Sequence, residues 1–405
     1  MVVDVSRDDV VFRCQEFVNQ GSYSDVNFLF DKFKDDKYLS KKDRDFLFFF
    51  NGVAAFYVDK KKEGYECCKH VLFNGLLPED ILCLAISNLF FFKDFFSSDK
   101  QVLDLFNVVD EVIQRNSCDL LNDNHFSVWE SLYFLVEPLL TKSSSFKHRN
   151  KKKPVVFLSM TSCKRLELFK KTVYSIINQW EDVDMVDYWF CVDDNSSEED
   201  RKFMKKNFSW FDFHFKEPDM KGHRVSMNII WDKLKEVKPK YWIHIEDDFV
   251  FHRKMPYIYK GLEGLKLLEK EGVFQVLFNR NYAEVIRDVC TRGHISLSET
   301  KDFVIHGYDN TYYEYLPYDY PNSHYWPYFS FRPALTVVEK VLEVGNFDSK
   351  VSFFEQDYGY KWANKGFKSA FFNCITNRHI GRLTSERSDS SLLNAYELNE
   401  VDQGL

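Results

Sequence analysis

The chain has 405 residues, enough for two to three domains, with 45% hydrophobic and 29% charged residues. This composition is typical of a folded, soluble globular protein. The net charge of −8 argues against a general nucleic-acid binder, which would present a basic face.

The first residues, MVVDVSRDDVVFRC, carry acids where a secretory signal needs a basic and then an apolar run. No apolar run is long enough to span a bilayer, since residues 89–96 are interrupted by Lys93 and Asp94. We therefore expect a cytoplasmic protein without a transmembrane segment, whose nine cysteines are free thiols in a reducing compartment. The 41 phenylalanines suggest an AT-rich genome, such as that of a large virus or a protist.

Residues 1–140 form the first predicted domain, in which the patterns favour helices. Helices are predicted at 43–57, 60–72 and 79–92. Gly52 and Gly64 mark a crossing point between paired helices, as in tetratricopeptide repeats, although a small helical bundle fits the same pattern. This all-α domain carries no catalytic constellation. We expect it to serve docking, oligomerisation or acceptor selection, through a second copy or a protein partner.

Residues 141–153, TKSSSFKHRNKKK, separate two ordered patterns with three serines and a basic cluster. A basic run can bind nucleic acid or a membrane. Because this run is short and the protein is acidic, a solvated linker is the favoured interpretation.

From Pro154 the pattern changes to strands alternating with helices. Strands are predicted at 154–160, 187–192, 211–215, 241–245, 273–278 and 368–375, and helices at 164–179, 198–208, 222–237, 256–271, 334–344 and 353–365. This alternation predicts an α/β fold with a mainly parallel, Rossmann-like sheet over residues 154–382. Residues 279–306 and 309–327 are predicted to be loops, the second with exposed aromatic faces, and residues 383–405 a polar tail.

Polar side chains follow three of these strands at the point where each strand ends. Thr161 follows the first strand, Asp193 and Asp194 the second, and Glu246–Asp248 the fourth. Ligands in open α/β sheets bind beyond the carboxyl ends of the strands. Three adjacent carboxylates after a buried strand are costly to desolvate unless a cation lies among them. Carboxylate oxygens suit Mg²⁺ or Mn²⁺, so a metal site is predicted at Glu246–Asp248.

Five segments together resemble glycosyltransferases of the GT-A type, close to the large family 2. They are VFLSMTSCKR (156–165), VDDNS (192–196), IEDDF (245–249), FEQD (354–357) and NRHIGR (377–382). IEDDF is similar to the EDD form of the DxD motif in N-acetylglucosaminyltransferases that use UDP-sugars. The resemblance implies a GT-A fold and metal-dependent, inverting transfer of a hexosyl or N-acetylhexosaminyl group from a nucleotide-sugar, with UDP favoured. The acceptor is then a hydroxyl group of a glycan, a protein or a small molecule.

The resemblance also implies roles for residues around the metal. Asp248 is the direct ligand of Mn²⁺ or Mg²⁺, Glu246 faces the ribose or a metal-bound water, and Asp247 assists. His379 completes the metal shell. A solvated turn or a helix cap is the alternative role for the acids, and a hydrogen-bonded surface position is the alternative for His379.

The nucleotide-sugar is expected to lie against the first two loops and the helix before the acids. The residues implied are Thr161, Arg165, Asp193, Asp194, Gly222 and Arg224. Backbone N–H groups after Gly222 suit a phosphate or a sugar. An Asx-turn is the alternative role for the two aspartates, and a solvated first helical turn is the alternative for Arg165.

Inverting transfer needs a base that takes the proton from the attacking acceptor hydroxyl. Similar enzymes place this base at the end of a short acidic motif that begins a helix. Asp357 is therefore the first choice, and Glu355 is the second choice or an acceptor binder, with stabilisation of the helix dipole as the alternative role. Trp326 and Arg332 are predicted to contact the acceptor, with loop packing as the alternative.

Two other functions remain open at this point. A sugar nucleotidyltransferase uses a similar sheet and acidic edge, but it usually carries a Gly-rich, basic loop after the first strand, which SMTSCKRLE lacks. A catalytically silent scaffold would bind a partner through its helical domain. The presence of the acids, the base and the histidine argues against the scaffold.

Overall fold

The structure is a computed structural model that describes residues 5–74, 99–115, 123–140, 145–279, 294–308, 328–347 and 354–381. The chain divides into two compact units, residues 1–140 and 141–405. Within the described ranges, no helix has both the length and the apolar character that crossing a membrane requires.

All regular elements described in the first unit are helices. They are α1 (Val10–Asn19), α2 (Tyr23–Phe33), α3 (Lys41–Tyr57), α4 (Lys61–Asn74), α5 (Asp99–Arg115) and α6 (Asp123–Val136). Ser40 caps α3 by accepting a hydrogen bond from the backbone N–H of Asp43 at 3.0 Å. Helices α3 and α4 approach closely at Gly52, where an added Cβ would lie 2.7 Å from Sγ of Cys68. The helix predicted at 79–92 lies outside the described residues, and tetratricopeptide-like repeats stay a prediction.

The second unit has an α/β fold around a central sheet, which has nine strands in the described part of the chain. These are β1 (Val156–Ser162), β2 (Tyr188–Asp193), β3 (Asp212–Phe215), β4 (Tyr241–Glu246), β6 (Val273–Leu277), β7 (His294–Glu299), β8 (Phe303–Tyr308), β9 (Ala334–Val337) and β10 (Lys368–Phe372). Their order is β3-β2-β1-β4-β9-β6-β10-β8-β7. Only β8 and β9 of these nine run against the others, so the sheet is mostly parallel, as predicted.

The remaining elements of this unit flank the sheet or extend it. The helices are α7 (Leu166–Gln179), α8 (Glu198–Asn207), α9 (His223–Val237), α10 (Tyr257–Leu268), α11 (Val338–Val344) and α12 (Phe354–Asn364). A separate two-stranded ribbon pairs β5 (Phe249–Phe251) with β11 (Asn377–His379).

Strand β1 is apolar without alternation because both of its faces are covered. All seven of its residues are buried. Leu158 lies in one core cluster with Ile176 of α7, whereas Phe157 lies in a second cluster with Ile230 of α9 and Trp362 of α12. Successive side chains of a strand point to opposite faces, so the two clusters occupy the two sides of the sheet.

Two segments differ from the sequence-based prediction. A helix was expected at 334–344, but Ala334–Val337 form β9, which pairs antiparallel with both β4 and β6 before α11 begins. Its β-branched residues suit a sheet, and so short an apolar run does not reveal its period. The loop prediction for 279–306 is also wrong in its described part, because β7 and β8 pair there as antiparallel strands.

Part of the predicted linker packs on the second unit. The ring of Phe146 lies edge-on to those of Trp189 and Trp210, with centroid distances of 5.8 and 5.1 Å. Asn150 exchanges two hydrogen bonds with the backbone of Trp189, at 2.8 and 3.1 Å. Residues 145–153 are thus anchored by an aromatic ring and an amide that their basic composition did not reveal.

The carboxyl ends of β1, β2 and β4 lie side by side. Thr161 pairs with Glu246 across β1 and β4, and Ser162 pairs with Asp193 across β1 and β2. The parallel arrangement therefore brings the polar residues that follow these strands to one edge of the sheet, which we call the carboxyl edge.

Candidate active site

The acid turn, residues Glu246–Asp248, ends β4 at the carboxyl edge. Glu246 is the last residue of β4, and the turn leads into β5. Strand β5 pairs with β11, which places Phe249 opposite His379. Nε2 of His379 consequently lies 3.2 Å from Oδ2 of Asp248. The pairing of two short strands thus brings together two residues that the sequence analysis assigned to a metal.

Arg165, the residue before α7, reaches the acid turn from the loop after β1. Its Nη1 donates to Oδ2 of Asp248 at 2.9 Å, and its Nη2 donates to Oδ1 of Asp247. The backbone N–H of Cys163 donates to Oδ2 of Asp247 at 3.1 Å. Both oxygens of Asp247 are therefore occupied by the chain itself. The Arg165 side chain is only 14% exposed, so it is not a solvated residue.

Burial and neighbouring charges move the pKa values of the three acids apart. Burial raises the pKa of Glu246 to about 8 and that of Asp247 to about 6, the latter in spite of Arg165. Burial also opposes the ionisation of Asp248, but His379 and Arg165 outweigh it and hold the pKa of Asp248 well below its ordinary range. Asp248 is therefore the acid of this turn that keeps its negative charge most firmly.

The acid turn suits a divalent cation that is coordinated partly by the protein and partly by a bound ligand, rather than one enclosed by protein side chains alone. In the described part of the chain, no three His, Cys, Asp or Glu side chains are arranged to enclose a metal ion. Oδ1 of Asp248 is nevertheless buried and has no hydrogen-bond partner among the described residues. Mg²⁺ commonly takes one or two carboxylates and completes its shell with substrate phosphates and water. Asp248, with His379 beside it, offers a donor set of that kind.

Gly381 allows the chain to pass close to the acid turn. A Cβ added at this position would overlap the carboxylate of Asp248. The backbone N–H of the preceding residue, Ile380, donates to the carbonyl of Asp248 at 2.7 Å. A side chain at position 381 is therefore incompatible with the observed placement of Asp248.

The first aspartate after β2 is bonded inward. Oδ2 of Asp193 accepts hydrogen bonds from Nε of Arg201 at 2.8 Å and from the backbone N–H of Ser196 at 3.2 Å. Its side chain is fully buried, and burial raises its pKa. Oδ1 of Asp193 has no hydrogen-bond partner within the described ranges, so one oxygen of this residue retains bonding capacity.

The second aspartate, Asp194, uses both of its oxygens within the protein. Oδ1 lies 3.0 Å from Nζ of Lys216 and accepts a hydrogen bond from Nδ2 of Asn195 at 3.0 Å. Oδ2 accepts a hydrogen bond from the backbone N–H of Gly222 at 2.9 Å. Asp194 thus ties the end of β2 to the start of α9, and contact with a nucleotide stays a prediction for both aspartates.

Lys216, which the sequence analysis did not select, is a fully buried cation in this network. Its Nζ donates to the carbonyl of Gly222 at 2.9 Å and to Oγ of Ser226 at 3.1 Å. Gly222 has a φ of 103°, which favours glycine, and it precedes α9, whose first turn carries the exposed Arg224. The available signal was a lysine directly after the Phe-rich strand at 211–215.

His223, also missed, connects α9 to the acid turn. Its Nε2 lies 3.5 Å from Oε1 of Glu246, and its ring packs edge-on against Phe331 and Phe354. Burial lowers the pKa of His223 to about 4, so the ring is neutral at neutral pH. The helix start after Gly222 was predicted to bind a phosphate or a sugar, but nothing in the sequence there indicated that the histidine faces Glu246.

The two acids in the first turn of α12 have different surroundings. Oε1 of Glu355 accepts a hydrogen bond from the backbone N–H of Phe331 at 2.8 Å. The charge of Glu355 also contributes to the raised pKa of Glu246, after burial and Asp248. Asp357 forms an ion pair with Lys361 of the same helix at 2.8 Å. Glu355 therefore lies within electrostatic reach of the acid turn, whereas Asp357 pairs with a lysine of its own helix.

The two predicted acceptor contacts lie before α11. Trp326 falls outside the described residues, together with the Tyr-rich segment at 309–327. Arg332 is half-buried, and its backbone N–H donates to Oγ of Ser330 at 3.2 Å. Oγ of Ser330 also donates to Oε1 of Glu355 at 3.2 Å, so the backbone at Arg332 is linked to the first turn of α12.

No model of a protein family and no curated protein matches this sequence. Similar solved structures include a mannosyltransferase from Pyrobaculum calidifontis in complex with GDP-Man and Mn²⁺, at 10% identity and a TM-score of 0.37, covering 76% of this chain and 70% of that one. A candidate glucose-1-phosphate thymidylyltransferase from Bacillus anthracis, in complex with a sucrose, is 9% identical with a TM-score of 0.33, covering 55% and 88%. The apo structure of the bifunctional glycosyltransferase WbbM is 12% identical with a TM-score of 0.28, and 81% of this chain spans only 57% of WbbM. Such low values assign no activity to this chain.

Proposed function

We propose that residues 154–382 form a GT-A glycosyltransferase domain that moves a sugar from a nucleotide-sugar to a hydroxyl acceptor with Mn²⁺ or Mg²⁺. The observation that carries this proposal is Asp248, whose buried Oδ1 has no partner among the described residues while His379 lies 3.2 Å from its other oxygen. This carboxylate lies at the carboxyl edge, where α/β sheets bind ligands. The EDD form of the motif supports UDP as the nucleotide and a hexose or N-acetylhexosamine as the sugar.

In this proposal, the chain's own groups bind and orient the donor. Asp248 and His379 hold the cation, which when bound stabilises the charge that develops on the leaving diphosphate. The backbone N–H groups that follow Gly222 at the start of α9 suit the diphosphate. Glu246, partly buried beside His223, contacts the ribose. Thr161 near the end of β1 and the loop that follows, as far as Arg165, contact the nucleotide, together with the unbonded oxygen of Asp193.

We further propose Glu355 as the base, in preference to Asp357, which the sequence favours. The base of an inverting transfer accepts a proton from the acceptor hydroxyl as its oxygen attacks. Glu355 is oriented by the backbone N–H of Phe331 and lies within electrostatic reach of the acid turn. Asp357 is instead engaged by Lys361. Glu355, an oriented carboxylate near the carboxyl edge, is therefore a better proton acceptor than Asp357.

A thermal-shift screen tests the donor. UDP, GDP, CMP and their common sugars are each added with Mn²⁺ or with EDTA, because a ligand that binds the folded state raises Tm. We expect a Mn²⁺-dependent rise with one nucleotide and turnover of its sugar, both lost in Asp248→Asn. A screen without any rise, or an Asp248→Asn protein that behaves as wild type, contradicts the proposal. Release of pyrophosphate from a nucleoside triphosphate and a sugar phosphate would indicate a nucleotidyltransferase instead.

Two matched variants test the base. Glu355→Gln is expected to lower turnover about 10²- to 10⁴-fold with nucleotide binding retained, since it removes only the proton acceptor. Asp357→Asn removes the same charge in the same helical turn and is expected to change turnover less than about threefold, because it breaks a half-exposed ion pair. A large loss of turnover in Asp357→Asn with little change in Glu355→Gln would instead identify Asp357 as the base.

A further inference from the structure

A single guanidinium bridges both aspartates of the acid turn. Arg165 bonds Asp247 and Asp248 across more than 80 positions of sequence, and its side chain is largely buried. A guanidinium keeps its charge over the whole working pH range. Carboxylates in a buried turn are costly without a cation. Arg165 therefore supplies, from within the chain, positive charge of the kind that the sequence analysis assigned to a metal.

The two oxygens of Asp248 have different surroundings. Oδ2 lies 2.9 Å from Nη1 of Arg165 and 3.2 Å from Nε2 of His379. Oδ1 is buried and has no hydrogen-bond partner among the described residues. A divalent cation bound at Oδ1 would share the Asp248 carboxylate with the guanidinium of Arg165. The metal ion and the guanidinium, bound to the two oxygens of one carboxylate, would repel each other. Each therefore weakens the binding of the other.

We infer that Arg165 is a built-in counter-ion that competes with the divalent metal for Asp248. It stabilises the acid turn before the metal binds, and it lowers the affinity of the free protein for the metal. The diphosphate of a donor brings the negative charge that offsets the guanidinium, so tight metal binding requires the donor. This inference rests on the proposed function, because it takes Asp248 as the metal ligand.

The experiment measures binding of Mn²⁺ alone to the full chain, without nucleotide. Arg165→Gln removes the charge and keeps a hydrogen-bond donor. Its Kd for Mn²⁺, obtained from the electron paramagnetic resonance signal of the free ion, is expected to be at least about tenfold lower than that of wild type. Its Tm in EDTA is expected to lie below that of wild type and to recover when Mn²⁺ is added.

Arg201→Gln is the matched control. Arg201 bonds the buried Asp193 at 2.8 Å at the end of β2, which β1 separates from β4, so this variant loses a comparable pair. It removes no charge from the acid turn. We expect it to lower Tm equally in Mn²⁺ and in EDTA, and to leave the Kd for Mn²⁺ within about twofold of wild type.

An Arg165→Gln protein with the wild-type Kd for Mn²⁺ overturns the inference. If that variant does not fold, Arg165→Met decides the matter, because it also removes the positive charge and keeps an unbranched side chain that packs in the same space. An unchanged Kd in Arg165→Met then overturns the inference equally. Asp248→Asn separates the two proposals. If Asp248→Asn still binds Mn²⁺, the proposed metal site is wrong. If Asp248→Asn loses Mn²⁺ binding but the Arg165 variants keep the wild-type Kd, only the counter-ion inference is wrong.

Discussion

Two acidic clusters lie at the carboxyl edge, at the ends of β2 and β4 on either side of β1, and they differ in which groups bond to their carboxylate oxygens. Both oxygens of Asp194 are bonded within the protein, with Lys216 and Gly222 among the partners. Asp248 keeps a buried oxygen without a partner among the described residues, and Asp193 is intermediate. An acid at the end of a strand is therefore not a ligand by position alone. The bonding capacity that remains after folding decides whether a cation or a substrate has something to bind.

The comparison separates the residues that hold the carboxyl edge together from those that remain able to react. Lys216 and Asp194 join β2, β3 and α9 through buried, charge-assisted bonds, which fix the start of α9. The acid turn is held in place by a hydrogen bond from Arg165 and by the pairing of β5 with β11. Changes in the first group should therefore affect stability, and changes in the second should affect metal binding.

Lys216→Met has the largest expected effect, because it leaves Asp194 buried without its cation. Breaking a buried ion pair by removing one partner costs about 3–5 kcal/mol. We expect this loss in urea unfolding, with the Kd for Mn²⁺ of the folded protein unchanged. The control is Lys235→Met, whose ion pair with Asp232 is exposed and whose loss should cost less than about 0.5 kcal/mol. If Lys216→Met is as stable as wild type, the cluster around Asp194 does not have the stabilising role that we assign to it.

Gly381→Ala tests the other cluster. The added Cβ would overlap the carboxylate of Asp248, so the acid turn has to shift, at a cost of about 1–3 kcal/mol. We expect the Kd for Mn²⁺ to rise about 10- to 100-fold, as when a residue that orients a metal ligand is changed. Gly264→Ala is the control, because its Cβ would lie 2.7 Å from the ring of Phe303 in the core. It should lose stability with no change in Kd, and equal Kd values for the two variants would argue against Asp248 as the ligand.

The parallel part of the sheet was predictable because it is encoded locally. The strand predicted at 241–245 is observed at Tyr241–Glu246, and the helix predicted at 198–208 is observed at Glu198–Asn207. Strand β9 was mistaken for helix because a segment of four residues, three of them apolar, is too short to show a period. Its conformation depends on β4 and β6, which lie far from it in sequence. Tertiary pairing, rather than local propensity, determines this element.

The candidate site was predictable only where strand ends define it. The pairs Arg165–Asp248 and Lys216–Asp194 join separate loops, and no local periodicity encodes such contacts. The sequence likewise does not show which of Glu355 and Asp357, two acids of one helix, faces the site. Residues two apart on an α-helix point about 200° apart, so the docking of the helix decides which of them faces the site. The motif located the acids, and only the packing of α12 distinguishes them.

Asp187→Asn has the smallest expected effect and extends the comparison to an acid away from the carboxyl edge. Burial acts to raise the pKa of Asp187, but Lys151 and the backbone N–H groups of Val155 and Val156 outweigh it and hold that pKa below its ordinary value of 3.8. A carboxyl whose pKa is lowered by folding contributes stability that is present above its unfolded pKa and is lost as pH falls through its folded pKa. We therefore expect the variant to be less stable than wild type at neutral pH, and the difference in free energy of unfolding to shrink from about pH 5 downwards. Urea unfolding at a series of pH values measures this, and parallel curves for the two proteins would mean that a fully bonded acid adds no pH-dependent stability here.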